Sequence, residues 1–124
     1  MSESVKGAVW SLADALAFHR DGGTAYSQFF EVPEMSAGIY TLAAGEEDGQ
    51  APHVEDEIYY VISGKAEMLI DGEITPVETG ATIFVAREIE HRFQNITEDM
   101  TILVIFAPRH DREESDRRRA DQNA

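Results

Sequence analysis

Three residues in this 124-residue chain have side chains and a spacing that suit metal chemistry: His53, Glu57 and His91. His53 and Glu57 are four positions apart in a stretch predicted to be extended, so both side chains project to the same face of a strand. If His91, on a later strand, faces the same interior, two imidazoles and one carboxylate converge. Such a 2-His-1-carboxylate set holds a divalent ion and leaves positions open for water and substrate.

The alternative is that His53 and Glu57 are neighbours on an exposed helix, since that spacing also fits one helical turn. The β-favouring run from Ile58 to Ile62 argues against a helix there. A second alternative is that these residues lie together in the folded protein but do not bind a metal.

The absence of cysteine excludes a disulfide scaffold, a thiolate zinc site and a cysteine nucleophile. A bound metal would therefore be held by histidine and carboxylate, a donor set that suits Fe, Mn, Ni, Co or Zn. Glu57 and Tyr59 are the residues we assign to catalysis, with Glu55 and Glu90 as weaker acid-base candidates. His19 and His110 are expected to be exposed.

The elements that must position these residues are strands. About eight short apolar segments separated by turn residues predict an all-β sandwich or barrel between residues 25 and 108. Residues 1–24 form an N-terminal segment in which Ser11 caps a short helical turn or begins a bent edge segment. Pro108 stops the last strand, and residues 109–124 form a charged tail, flexible or helical. The expected strands are 25–32, 36–42, 57–62, 66–70, 73–77, 81–85, 91–95 and 101–106.

The spacing of these residues resembles the two sequence motifs of the cupin superfamily. The first is Gly-x5-His-x-His-x3/4-Glu-x6-Gly and the second is Gly-x5-Pro-x-Gly-x2-His-x3-Asn. Three positions depart from them: Ala51 stands where the first motif has its first histidine, and Ala86 and Glu88 replace the proline and glycine of the second. The matching positions are Gly45, His53, Glu57, Gly64, Gly80, His91 and Asn95.

The resemblance implies a single-domain cupin-type double-stranded β-helix, a jelly-roll barrel, that assembles as a homodimer. It also implies that His53, Glu57 and His91 are metal ligands. Gln50, Glu55 or water would fill the ligand position that Ala51 cannot supply. The expected function is a small metalloenzyme acting on a small organic molecule, with dioxygenase-type chemistry favoured over isomerase, decarboxylase or lyase. The alternative is a non-enzymatic small-ligand-binding or sensor cupin.

The charge distribution narrows the range of partners. The net charge is −14, and the five arginines and five acids from residue 109 onward cancel, so residues 1–108 carry all of it. A nucleic-acid partner is therefore not expected, because phosphate neutralisation needs a basic face. The sequence has neither a secretory signal pattern nor a long apolar run, so we expect no membrane association and a cytoplasmic location. The expected partner is a small-molecule substrate or ligand.

Overall fold

The computed structural model describes residues 6–49 and 52–110. In this part of the chain one helix precedes six strands, which pair in antiparallel fashion in the order β1-β2-β6-β3-β4, with β5 also on β3. This is the predicted all-β architecture. The elements are α1 (Leu12–Gly22), β1 (Tyr26–Val32), β2 (Met35–Leu42), β3 (Asp56–Ile70), β4 (Glu73–Glu78), β5 (Thr82–Val85) and β6 (His91–Ala107).

The strands differ from the predicted pattern because β3 and β6 each join two segments that the sequence separates. β3 continues through Gly64, and β6 continues through Asn95. The first half of β3 pairs with the second half of β6, and the second half of β3 pairs with the first half of β6. Between Val61 and Glu67 the register shifts, so both strands bend without separating. This bend lets the same two strands supply both ends of the barrel.

Side chains along the first half of β3 alternate between the interior and the surface. Glu57, Tyr59 and Val61 are buried, whereas Ile58 and Tyr60 are exposed. The alternation follows from the two-residue period of a strand and places Glu57 on the inner face. The inner face joins a continuous apolar core formed by Leu42, Tyr59, Val61, Ala66, Met68, Val77, Ile83, Val85, Phe93, Ile96, Met100, Ile102, Val104 and Phe106.

Helix α1 packs against β1 and β2 and is longer than the predicted single turn. Ser11 is its N-cap, as expected, and its Oγ accepts a hydrogen bond from the Asp14 amide at 3.0 Å. The prediction that His19 is exposed is wrong. His19 is buried, with Nδ1 2.9 Å from Ser27 Oγ and Nε2 2.9 Å from Thr41 Oγ1, so this imidazole joins the helix to β1 and β2.

The end of the barrel lies near the predicted position, since β6 ends at Ala107, directly before Pro108. The charged tail was predicted from residue 109, and all of it from residue 111 lies outside the described residues. The division of the chain at residues 25 and 108 stays a prediction. Within residues 6–49 and 52–110, no helix combines the length and the apolar character needed to cross a bilayer.

Candidate metal centre

The three predicted ligands reach one place from three different parts of the fold. Glu57 lies near the start of β3, where it pairs with Phe106 of β6 and Val85 of β5. His91 is the first residue of β6. His53 belongs to the loop before β3 rather than to a strand, so strand alternation does not orient it. Its carbonyl oxygen instead accepts a hydrogen bond from the Glu88 amide at 2.7 Å, which fixes the loop against the turn before β6.

The ligand atoms of these three residues all lie within 4.8 Å of one another. Glu57 Oε1 is 2.6 Å from His91 Nε2 and 4.0 Å from His53 Nε2. The side chains of Glu57 and His91 are each 1% exposed and that of His53 is 14% exposed, so the cluster opens to solvent on the His53 side. This arrangement of two imidazoles and one carboxylate could hold a metal ion.

The hydrogen bonds of His91 determine which of its nitrogens faces the cluster. Nδ1 lies 2.9 Å from the carbonyl oxygen of Ile89, to which only a protonated nitrogen can donate. In the neutral ring, Nε2 is then unprotonated and can accept a hydrogen bond from the Tyr59 hydroxyl at 3.1 Å, whereas the protonated ring can donate from Nε2 to Glu57. A backbone carbonyl on one ring nitrogen is the usual way in which a ligating histidine is oriented.

Burial and the nearby carboxylate act on the pKa values of the two histidines in opposite directions. Burial lowers the pKa of His53, and the attraction of Glu57 only partly offsets it. For His91, burial also acts to lower the pKa, but the hydrogen bonds to Glu57 and Ile89 and the charges of Glu57 and Asp48 together raise it. His53 is therefore held neutral, the form in which an imidazole binds a metal.

The environment of Glu57 fits a divalent cation. Its side chain is almost fully buried, and Oε2 has no hydrogen-bond partner among the described residues. Its only ion-pair partners in that part of the chain are the two histidines, neither of which carries a permanent charge. Because a buried carboxylate needs a compensating cation, a divalent ion would replace protonated His91 in that role, and the donor set and its burial both suit such an ion.

Two residues besides the three predicted ligands also reach this region: Glu55, a candidate for the vacant ligand position, and His110. Glu55 is 3% exposed and faces His110, whose Nδ1 lies 3.2 Å from Glu55 Oε1. The expectation that His110 is exposed is wrong, since its side chain is only 16% exposed and stacks on Phe106. Glu55 and His110, together with His53, form a second group of donor atoms within 4.8 Å of one another. No local pattern in the sequence places His110 there.

The motif positions and carboxylates around the three ligands lie partly on the surface. Glu88 and Glu90 are exposed, as expected for surface carboxylates. Asn95, one of the matching motif positions, is exposed, because its positive φ of 47° interrupts the alternation along β6. Gln50 and Ala51, which bear on the missing ligand, lie outside the described residues.

Comparison with known proteins identifies the family. Residues 38–106 match the family model described as the cupin domain. An uncharacterised protein of Streptomyces coelicolor is 43% identical over 84 residues, which are 68% of this chain and 80% of that protein.

Solved structures show the same fold at low sequence identity. KdgF from Halomonas sp. has a TM-score of 0.64 and 22% identity, over 69% of this chain and 79% of that one. A salicylate 1,2-dioxygenase from Pseudaminobacter salicylatoxidans has a TM-score of 0.61 and 18% identity, over 77% of this chain and 31% of that one. The family match spans both motifs and the strands between them, and the chain therefore belongs to the cupin family.

Proposed function

We propose that this protein is a small metalloenzyme that binds one divalent ion through His53, Glu57 and His91 and acts on a small organic molecule. The observation that carries the proposal is the convergence of two imidazoles on a buried carboxylate that has no lysine or arginine partner among the described residues. A divalent ion there would polarise a substrate oxygen, and a redox-active ion would also support dioxygen chemistry. We favour dioxygenase-type chemistry, because three protein ligands leave positions open.

Tyr59 is the residue of this chain best placed to move a proton beside the ligands. Its ring is fully buried in the core, and its hydroxyl lies 3.1 Å from His91 Nε2. When His91 Nε2 is engaged by a metal, the hydroxyl can turn to a substrate atom beside that nitrogen and donate a hydrogen bond to it. Glu57 would act mainly as a ligand, with its charge offsetting that of the ion.

Tyr59→Phe tests the role of the hydroxyl, because it removes one oxygen and keeps the ring. We expect metal content to stay the same and kcat to fall by roughly 100-fold, the scale of general acid-base catalysis. The measurement pairs elemental analysis with turnover of a substrate found by oxygen-uptake screening of catechols, β-diketones and flavonols. Unchanged kcat in this variant would remove Tyr59 from the catalytic assignment.

The metal assignment is tested by elemental analysis of the purified protein before and after chelation. We expect one ion per chain in the wild type and loss of the ion in His53→Ala and in His91→Ala. Adding metal back to the chelated wild type should raise its unfolding free energy by about 2.7 kcal/mol at 100 times Kd. If both variants retain the wild-type metal content, the ligand assignment is wrong.

A second candidate function is a non-enzymatic ligand-binding or sensor cupin. The dense interior favours it, since Tyr59, Met68, Phe93 and Met100 fill the core at 1% exposure or less. Metal binding without turnover of any substrate in the screen would favour this function over the enzyme.

We also propose that the protein is a homodimer. Ile58, Tyr60 and Phe84 form an apolar patch on the outer face of β3 and β5, where Ile58 pairs with Phe84. The three residues are between 40% and 61% exposed, and a second copy would cover them. The cytoplasmic location stays a prediction.

A further inference from the structure

The segment that follows β6 is anchored so that it returns over the open side of the metal cluster. The His110 amide donates a hydrogen bond to Ser36 Oγ at 2.9 Å, and the Arg109 amide donates to the Pro33 carbonyl oxygen at 3.4 Å. Gln28 Nε2 also donates to the His110 carbonyl oxygen at 3.4 Å. Three polar contacts thus hold residues 109 and 110 against the β1-β2 hairpin.

The side chain of His110 contacts Phe106 and Glu55. Its ring stacks on Phe106 with centroids 4.7 Å apart and an interplanar angle of 25°. The Glu55 carboxylate lies 3.2 Å from Nδ1, and Glu55 is 3% exposed. When Nδ1–H of an imidazole donates to a carboxylate, the neutral ring leaves the lone pair of Nε2 free to bind a metal ion. This arrangement orients many metal-binding histidines.

His53 lies between two other imidazoles at nearly equal distances. Its ring centroid is 5.6 Å from that of His91 and 5.4 Å from that of His110. It also belongs to both groups of donor atoms, one with Glu57 and His91 and the other with Glu55 and His110, so the two groups share His53, and His110 joins the first group only if its ring shifts toward the ion. The described residues therefore place three histidines and two buried carboxylates next to one another.

We propose that His110 is a further imidazole ligand of the metal centre, with Glu55 as the residue that orients it. This inference rests on the proposed function, because it assumes that the ion is held by His53, Glu57 and His91. Residue 51 is alanine, whose methyl group cannot coordinate. His110 then supplies the additional nitrogen from the other end of the domain and partly closes the open side of the site.

The test counts the imidazoles on a bound probe ion. The chelated full-length protein is loaded with Cu²⁺, and pulsed electron paramagnetic resonance detects the remote nitrogens of coordinated imidazoles. A chelator competition then measures Kd for Zn²⁺. The key variant is His110→Asn, whose amide nitrogen can still donate to Glu55 but which lacks the second ring nitrogen. His19→Asn is the matched control, because His19 contacts Ser27 and Thr41 instead.

We expect three imidazoles in the wild type and in His19→Asn, and two in His110→Asn. The Zn²⁺ Kd should rise by roughly 10- to 100-fold in His110→Asn and by about 10-fold in Glu55→Gln, in line with the loss of ligand orientation. Circular dichroism checks that each variant is folded.

Two results would overturn the inference: an unchanged imidazole count and Kd in His110→Asn, or two ions per chain in the wild type. If His53→Ala and His91→Ala lose the ion while His110→Asn does not change it, only this inference fails. If none of the three variants changes metal binding, the proposed function fails as well.

Discussion

Asp48 is a buried carboxylate that links the loop after β2 to the start of β6. It is 6% exposed and accepts hydrogen bonds from the Tyr40 hydroxyl at 2.7 Å and from the Phe93 amide at 2.9 Å. Burial and the bond to Asp48 raise the pKa of Tyr40, so its hydroxyl stays protonated. Because Phe93 is two residues beyond His91, Asp48 also fixes the backbone next to a proposed ligand.

We expect Asp48→Ala to lower the free energy of unfolding by about 3 kcal/mol, because it leaves two donors, one of them fully buried, without their acceptor. Urea denaturation of the chelated protein measures the effect. The control is Glu47→Ala, at the exposed neighbouring position, which should change stability by less than about 0.5 kcal/mol. Equal stabilities for the two variants would show that the Asp48 bonds are not structural.

At the scale of the element, the continuity of β3 and β6 depends on Gly64. Its φ is +115°, and an added Cβ would lie 2.6 Å from the Asp99 carbonyl oxygen and 2.7 Å from Met100 Cα. Both contacts are with backbone atoms of β6, which cannot move aside independently. The two strands can therefore approach and bend here only if residue 64 has no side chain.

Gly64→Ala should cost more than about 3 kcal/mol, because backbone strain adds to a steric overlap. The matched variant is Gly80→Ala, whose φ is also positive, at +93°, but whose Cβ would meet no atom within 4 Å. We expect it to cost only about 1–2 kcal/mol. Thermal or urea unfolding of both variants isolates the contribution of the close approach between residue 64 and the β6 backbone. Equal losses of unfolding free energy in the two variants would contradict that contribution.

The packing of α1 against the sheet depends on pH through His19. Burial lowers the pKa of His19, so the unfolded chain binds the proton more tightly than the folded chain does. The stabilising contribution of His19 is therefore complete above its unfolded pKa of about 6.5 and is lost as the pH falls through the folded value.

We expect the chelated wild type to lose stability below pH 6.5 more steeply than His19→Asn does. Urea unfolding at a series of pH values measures the two slopes. Because His53 and His91 are present in both proteins, their contributions cancel in the comparison. Parallel slopes would mean that the His19 imidazole titrates alike in the folded and unfolded chains.

At the scale of the whole molecule, a strong negative charge and an apolar surface patch act against each other. The net charge of −14 makes two copies repel, whereas burial of Ile58, Tyr60 and Phe84 favours their association. Salt screens the repulsion and leaves the apolar contact intact, since the Debye length falls from about 10 Å at 0.1 M to about 3 Å at 1 M. Dimerisation should therefore strengthen with ionic strength.

Light scattering coupled to gel filtration tests this directly. We expect about twice the chain mass of 13.8 kDa for the wild type and the mass of a single chain for Phe84→Asp. The control is Phe18→Asp, an exposed phenylalanine on α1 outside the patch, which should remain dimeric. A monomeric wild type at micromolar concentration, at both low and high salt, would contradict the dimer.

The sequence by itself determined the strand class, the turns and the spacing of His53, Glu57 and His91. These follow from side-chain alternation and turn residues, which act between near neighbours in the chain. The structure brings those three residues together, although their binding of a metal and the catalytic roles of Glu57 and Tyr59 stay predictions.

Only the tertiary structure decided that β3 and β6 run on as bent strands and that His19 and His110 are enclosed. Glu55 and His110, for example, are 55 residues apart and meet because the segment after β6 folds back onto the β1-β2 hairpin. Contacts of this kind depend on the path of the whole backbone, which no local pattern of residues specifies.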